Sequence, residues 1–248
     1  MAKKTTQTTE TKRPITVDDH KELNRINTEK KRTAVNDALK LPTGDRFEAD
    51  LTEILAGDSE ERGETVVIAL IDYDRFDHIN KDFGVDVGDR ILIDTGRYII
   101  SKIDQYLTEN KTNTATVYRI GGDEFGVIFK GEMEREDIFL FLNELKNGFD
   151  VKTPDGEAQS ITIGMATAFL DASRYAELVR KADGALYRAK ISGRGRVAMA
   201  KEEKMIPKTS HYTQDQLQRL NKLSKREGIG EAILLREALD MLFKKYDI

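Results

Sequence analysis

Residues 117–129 read VYRIGGDEFGVIF, two apolar runs around Gly121, Gly122, Asp123, Glu124 and Phe125. Read for structure, this is a β-hairpin: two strands joined by a glycine-bearing turn with acids at its tip. Read for chemistry, the same turn suits an active site, where glycines admit a phosphate or a base and acids hold a metal ion. The stretch by itself supports both readings.

Upstream, ETVVIALIDYD (64–74) is an apolar run that ends in Asp72 and Asp74, the pattern of a buried strand. Carboxylates at the end of a buried strand are costly to desolvate. If this strand lies beside the hairpin, Asp72 and Asp123 converge at one sheet edge. Converging carboxylates without His or Cys favour a hard cation such as Mg²⁺. Two solvated loop acids explain the spacing equally well.

Helix and strand signals alternate through the rest of the middle. LPTGDRFEADLTEIL (41–55) predicts a turn and helix, with Phe47, Leu51, Ile54 and Leu55 at helical spacing. Residues 75–107 predict helix, broken near Gly84 and Gly88. EREDIFLFLNELKNGF (134–149) predicts an amphipathic helix, SITIGMATAFL (160–170) a strand, SRYAELVRKADGALYRAKISG (173–193) a helix and RVAMA (196–200) a short last strand. The order is α-β-α-α-β-β-α-β-α-β. It predicts an α/β (α+β) fold, a βαββαβ core with an added helix and strand.

The ends differ from the middle. Residues 1–35 carry nine Lys/Arg and five Asp/Glu, residues 205–248 eight and six, and residues 36–204 the remaining 23 and 33. A middle of net charge −10 argues against a nucleic-acid-binding core and leaves the ends as contact surfaces. Residues 1–15, rich in Thr and Lys, are expected to be disordered. Residues 16–40 predict a polar leader helix with a thin apolar stripe, packing on a partner or only lightly on its own domain. The 248 residues include no cysteine, which excludes disulfides and thiolate metal sites. No apolar run approaches the roughly 18 residues of a membrane span, and nothing at the N-terminus reads as a secretory signal. A cytoplasmic protein is expected.

From 36 to 200 the chain resembles the GGDEF domain of diguanylate cyclases. The segments IDYDRFDHIN, GVDVGD, RIGGDEF, ITIGMA and ADGALYRAKISGRGR carry the resemblance, in the family's order and spacing. It implies a palm-like fold and a Mg²⁺- (or Mn²⁺-) dependent enzyme, two ions per active site, that condenses two GTP into cyclic di-GMP and pyrophosphate. It further implies that Asp72, Asp123 and the backbone carbonyl of Tyr73 hold the metals. Asp123 helps remove the hydroxyl proton, and Glu124 belongs to the same catalytic signature. Asn80 and Asp89 would read guanine. Lys190 and Arg194 would bind phosphate, as would the backbone N–H groups of Arg75, Phe76 and Asp77 at a helix start. Gly121 and Gly122 would give the turn φ freedom and let backbone approach the nucleotide. Phe76, Phe125, Leu186 and Tyr187 are expected in the core, and His78 on an exposed helix face.

The chain departs from the family in places. Asp77 stands where a phosphate-contacting lysine is usual, Val85 where histidine is common, and Gly195 where asparagine is common. NDALKLPTGDR keeps little of the family's opening motif. Thr112 to Ala115 replace the arginine and aspartate of the product-inhibition site, so no feedback through that site is expected.

Residues 205–248 resemble ribbon-helix-helix dimerisation and DNA-binding modules: a short strand at KTSHYT, a helix with Leu217, Leu220 and Leu223 closed by Gly228, then a second amphipathic helix. A unit this small does not bury a core alone, so a homodimer or higher assembly through 205–248 is expected. Thr209 and His211 would face DNA, or Lys208 and Ser210 after a one-residue slip. Glu231 at the second helix start and the slight net charge leave dimerisation without DNA equally open. The alternative for the whole chain is a DNA-binding transcriptional or plasmid regulator whose nucleotide domain only senses GTP or a related nucleotide.

Overall fold

The structure is a computed structural model that describes residues 34–201, 208–227 and 230–246. The expected disordered tail, most of the leader, and Gly228 lie outside the described residues. The elements follow the predicted order: α1 (Gly44–Ala56), β1 (Thr65–Tyr73), α2 (Phe76–Phe83), α3 (Val85–Glu109), β2 (Thr114–Arg119), β3 (Glu124–Gly131), α4 (Arg135–Asn147), β4 (Ile161–Thr167), α5 (Tyr175–Ile191) and β5 (Val197–Met199). Two helices follow, α6 (Gln214–Glu227) and α7 (Glu231–Tyr246).

The five strands form one sheet in the order β2-β3-β1-β4-β5. All pairs are antiparallel except β4 with β5. β1 is central and buried from Val66 to Tyr73. Its side chains alternate between faces, as a strand requires. Val67, Ala69, Ile71 and Tyr73 join a core with Ile99 and Ile103 of α3 and Ile138 and Leu142 of α4. Val66, Ile68 and Leu70 join a second core with Phe47 and Leu51 of α1 and Leu178, Ala182 and Leu186 of α5. Each large aliphatic side chain so buried contributes about 1.5–3 kcal/mol. Asp72 and Asp74 continue the second row beyond the core.

Three expectations change. The helical break falls at Gly84, which separates α2 from α3, whereas Gly88 is buried inside α3. The end of the leader packs firmly: residues 34–39 are helical, and Val35 and Leu39 are buried in the first core. Leu39 reaches it by lying over Gly96, where a β-carbon would overlap its methyls. Residues 208–213 form no strand. A ribbon of the expected kind is built from two chains, so its ladder has no partner within one.

In the tail, Thr213 and Gln216 exchange hydrogen bonds as a capping box at the start of α6. Among the described residues, no helix is long and apolar enough to cross a membrane.

Candidate active site

The 117–129 stretch is a hairpin. β2 and β3 pair as far as Arg119 opposite Phe125, and Ile120 N–H donates to the Glu124 carbonyl at 3.0 Å. β3 in turn pairs with β1 and places Glu124 opposite Asp72. Tyr73 N–H reaches the Asp123 carbonyl at 3.4 Å. The turn is therefore laid across the end of β1, and it brings Asp123 and Glu124 near enough to Asp72 for their charges to act on it. The expected φ freedom of the turn glycines is not used, since neither Gly121 nor Gly122 has positive φ. What distinguishes Gly122 is space: a β-carbon there would meet no atom within 4 Å.

Asp72 is 7% exposed. Burial pushes its carboxyl up to about 7; the Lys190 ammonium opposes this, and Asp123 and Glu124 add to it. Lys190, from the last turn of α5, lies 2.8 Å from Asp72 Oδ2. A buried acid beside two others is a concentration of negative charge that a cation relieves. The oxygen-only donors fit a hard divalent ion and suit no soft one. Among the described residues, no three acidic or histidine side chains close on one point. An ion held by Asp72 and its acidic neighbours would need waters or a phosphate to complete its shell.

Asp74 is surrounded differently. Ser160 Oγ and Thr162 Oγ1 each donate to it at 2.6 Å, and Gly195 N–H donates at 3.1 Å. Arg194 Nε lies 3.7 Å away. Lys190 and Arg194, four positions apart, thus address two carboxylates on the same strand end.

The two expected guanine readers sit on the helix pair α2–α3. Asn80 Oδ1 is buried and lacks a hydrogen-bond partner. It lies directly over Gly88, where a β-carbon would collide with it. Asp89 is the next residue, in the second turn of α3, half-buried and with interactions of its own. This close approach is why α3 carries a glycine inside its first turns.

At the start of α2, Arg75 is exposed with a left-handed backbone, φ 60°, a strained state for a residue with a β-carbon. Phe76 is half-buried, its ring edge-to-face with Tyr73 at a centroid separation of 5.6 Å. Asp77 projects outward beside His78. Phe125 and Leu186 are buried as expected, but Tyr187 is 50% exposed, a correction to its placement in the core. It lies on the outer face of α5, one residue past Leu186. Lys208, Thr209 and His211 are exposed ahead of α6. Asn113, in the segment that replaces the product-inhibition motif, is buried and donates to Tyr106 Oη at 3.0 Å.

Two features of the site are not predicted by the sequence. Arg119 is buried and donates to Asn36 Oδ1 at 2.8 Å and to the Gly122 carbonyl at 2.7 Å. It joins the leader's end to the acidic turn. Its sequence signal is a charge inside an apolar run. The other is the tie between Asp74 and Gly195.

This strand end, with its acids, paired cations and unpartnered amide oxygen, belongs to a recognisable class of nucleotide-handling domain. The chain is a member of the GGDEF family: the profile described as "Diguanylate cyclase, GGDEF domain" matches residues 36–196. A second profile, "Ribbon-helix-helix domain", matches residues 206–247. Among curated proteins it is similar to diguanylate cyclase DosC of Escherichia coli K12, 33% identical over 143 residues, 56% of this chain and 29% of that protein. It is also similar to diguanylate cyclase TpbB of Pseudomonas aeruginosa UCBPP-PA14, 33% identical over 159 residues, 62% of this chain and 34% of that protein. The match thus spans about a third of these relatives' length. Among solved structures, the GGDEF domain of TpbB (YfiN) from P. aeruginosa superposes with a TM-score of 0.59 at 29% identity, covering 66% of this chain and 99% of that one.

Proposed function

We propose that this protein is a diguanylate cyclase that condenses two GTP into cyclic di-GMP and two pyrophosphates. The observation that carries the reading is the placement of Glu124 opposite Asp72, with Asp123 close enough to act on it and Lys190 2.8 Å away. Asp72, Asp123 and the Tyr73 carbonyl would hold Mg²⁺ or Mn²⁺, two ions per site. Such ions supply Lewis acidity toward the phosphates and acidify a ribose hydroxyl. The chain's own residues do the rest. Asp123 accepts the 3′-hydroxyl proton as the 3′ oxygen bonds to the α-phosphorus of the other GTP and pyrophosphate leaves. Glu124 adds to the same field. Lys190, Arg194 and the first backbone N–H groups of α2, at Arg75, Phe76 and Asp77, bind the triphosphate. The open side of Gly122 leaves room for the nucleotide beside the turn.

Asn80 and Asp89 select guanine. Asp89 accepts from the ring N1–H and exocyclic amine, and Asn80 gains the partner its buried oxygen lacks. Adenine offers no such pattern, and an unmet polar group discriminates strongly.

Each domain holds one GTP, so two copies must face each other. The 205–248 tail supplies the pairing. Leu217, Leu239, Met241, Leu242 and Phe243 are exposed on its two helices in a single chain, an apolar surface suited to a second copy. A shared tail raises the partner domain's effective concentration.

A second reading, a DNA-binding regulator that only senses GTP, is favoured by the ribbon-helix-helix match and by Asp77 at the phosphate-facing helix start. Incubating the protein with GTP and Mg²⁺ and searching for cyclic di-GMP by mass spectrometry, with Asp123→Asn as control, separates the two. Product from the wild type alone supports the cyclase; none at high protein concentration overturns it. Light scattering of the full chain against a truncation at residue 204 tests the dimer, and a gel shift with the protein's own upstream DNA tests the regulator.

A further inference from the structure

Asp74 has no role in the chemistry outlined above, yet it is 4% exposed and bound from four directions. Ser160 and Thr162 donate hydroxyls at 2.6 Å, Gly195 its backbone N–H at 3.1 Å, and Arg194 Nε stands at 3.7 Å. A buried carboxylate is sustained only by such pairing. What it pairs with is informative, because three consecutive residues, Gly193 (φ 115°), Arg194 (φ 58°) and Gly195 (φ 55°), all have positive φ. For the glycines this is permitted; for Arg194 it is strain, which persists only where the surroundings over-determine it. Gly195 N–H donates to Asp74 and, at 2.9 Å, to Thr162 Oγ1. The carboxylate therefore pins the strained segment at the residue after Arg194.

We infer that Asp74 is a positioning residue for triphosphate binding: by fixing the 193–195 segment it aims Arg194 at the β- and γ-phosphates. The inference rests on the GTP reading above. The left-handed φ of Gly195 is what puts its N–H on Asp74, a conformation open to glycine and also accessible to the asparagine common at this position.

The experiment compares binding of the non-cleavable α,β-methylene analogue of GTP with binding of GMP, which lacks the outer phosphates, by titration and competition. Asp74→Asn and Arg194→Ala are each expected to weaken the analogue about tenfold and leave GMP unchanged, with the double variant no weaker than either single. Thr162→Val, which removes one hydroxyl and leaves the carboxylate, is expected to show the same selectivity more weakly. It carries the test if Asp74→Asn does not fold. Equal loss for GMP and analogue, or multiplicative losses in the double variant, overturns the positioning role alone. A wild type that binds neither ligand overturns the GTP reading and this assignment with it.

Discussion

Asp72 and Asp74 stand two positions apart at the end of one strand, on one face, and live in opposite surroundings. Around Asp74 are two hydroxyls and a backbone N–H, all donating. Around Asp72 are one ammonium and two other acids. The first environment is complete within the chain. The second is electrically unfinished, and it is the one that faces the acidic turn. A carboxylate that the fold satisfies is structural; a carboxylate that the fold leaves strained is available to something else.

Substitution tests that contrast. Asp72→Asn is expected to reduce cyclic di-GMP formation at least about 100-fold while raising stability at pH 8. A carboxyl held at about 7 instead of 3.8 costs the folded state on the order of 4 kcal/mol once ionised. Calorimetry at pH 8 should show a higher melting temperature than wild type; a lower one breaks the comparison. Asp74→Ala is expected to do the reverse to stability, lowering it by about 3 kcal/mol, because several buried donors lose their acceptor together. Urea denaturation measures this, and a neutral result would mean water replaces the carboxylate.

The pH dependence follows with a definite sign. The folded carboxyl of Asp72 titrates near 7 and the unfolded one near 3.8, so in between the folded chain keeps a proton the unfolded chain has released. The stability from this group is fully present below pH 3.8 and is lost as pH rises through 7. Denaturation midpoints from pH 4 to 8 should fall for wild type and fall less for Asp72→Asn.

Two smaller effects carry the contrast outward from the strand. Gly88→Ala forces the Asn80 oxygen to move and is expected to weaken GTP binding about tenfold, roughly 1.4 kcal/mol, with the fold retained by circular dichroism. Asp77→Lys places a cation at the exposed start of α2 and is expected to tighten GTP binding a few-fold, an effect that salt should diminish. Tightening that persists at high salt would point to something other than charge.

Much of this was legible in the residues. The element order could be read because strand and helix periods differ and each run is local. Asp72 and Asp123 could be read because an apolar run that ends in acids violates the burial rule in plain view. What could not be read is non-local. Asp74 looks like its neighbour until Ser160, Thr162 and Gly195 arrive from other elements. Gly88 looks like a helix breaker until Asn80 is placed over it. The leader's stripe looks too thin to pack, yet Gly96 makes room for Leu39. The turn glycines mislead in the opposite way: a glycine pair suggests unusual φ, and here the backbone is ordinary.

The central position of β1 has a consequence for how the molecule is made. Asp74 and Gly195 are 121 positions apart, and Asp74 and Thr162 are 88 apart. Asp72 meets Lys190 over a similar span. Contacts of such separation form slowly, since long loops must close first. The chain emerging from synthesis displays its acids long before the strand and helix that answer them exist. The proposed site is thus complete only with the last helix and strand of the domain, and a shortened chain that stops before residue 190 is expected to form no cyclic di-GMP.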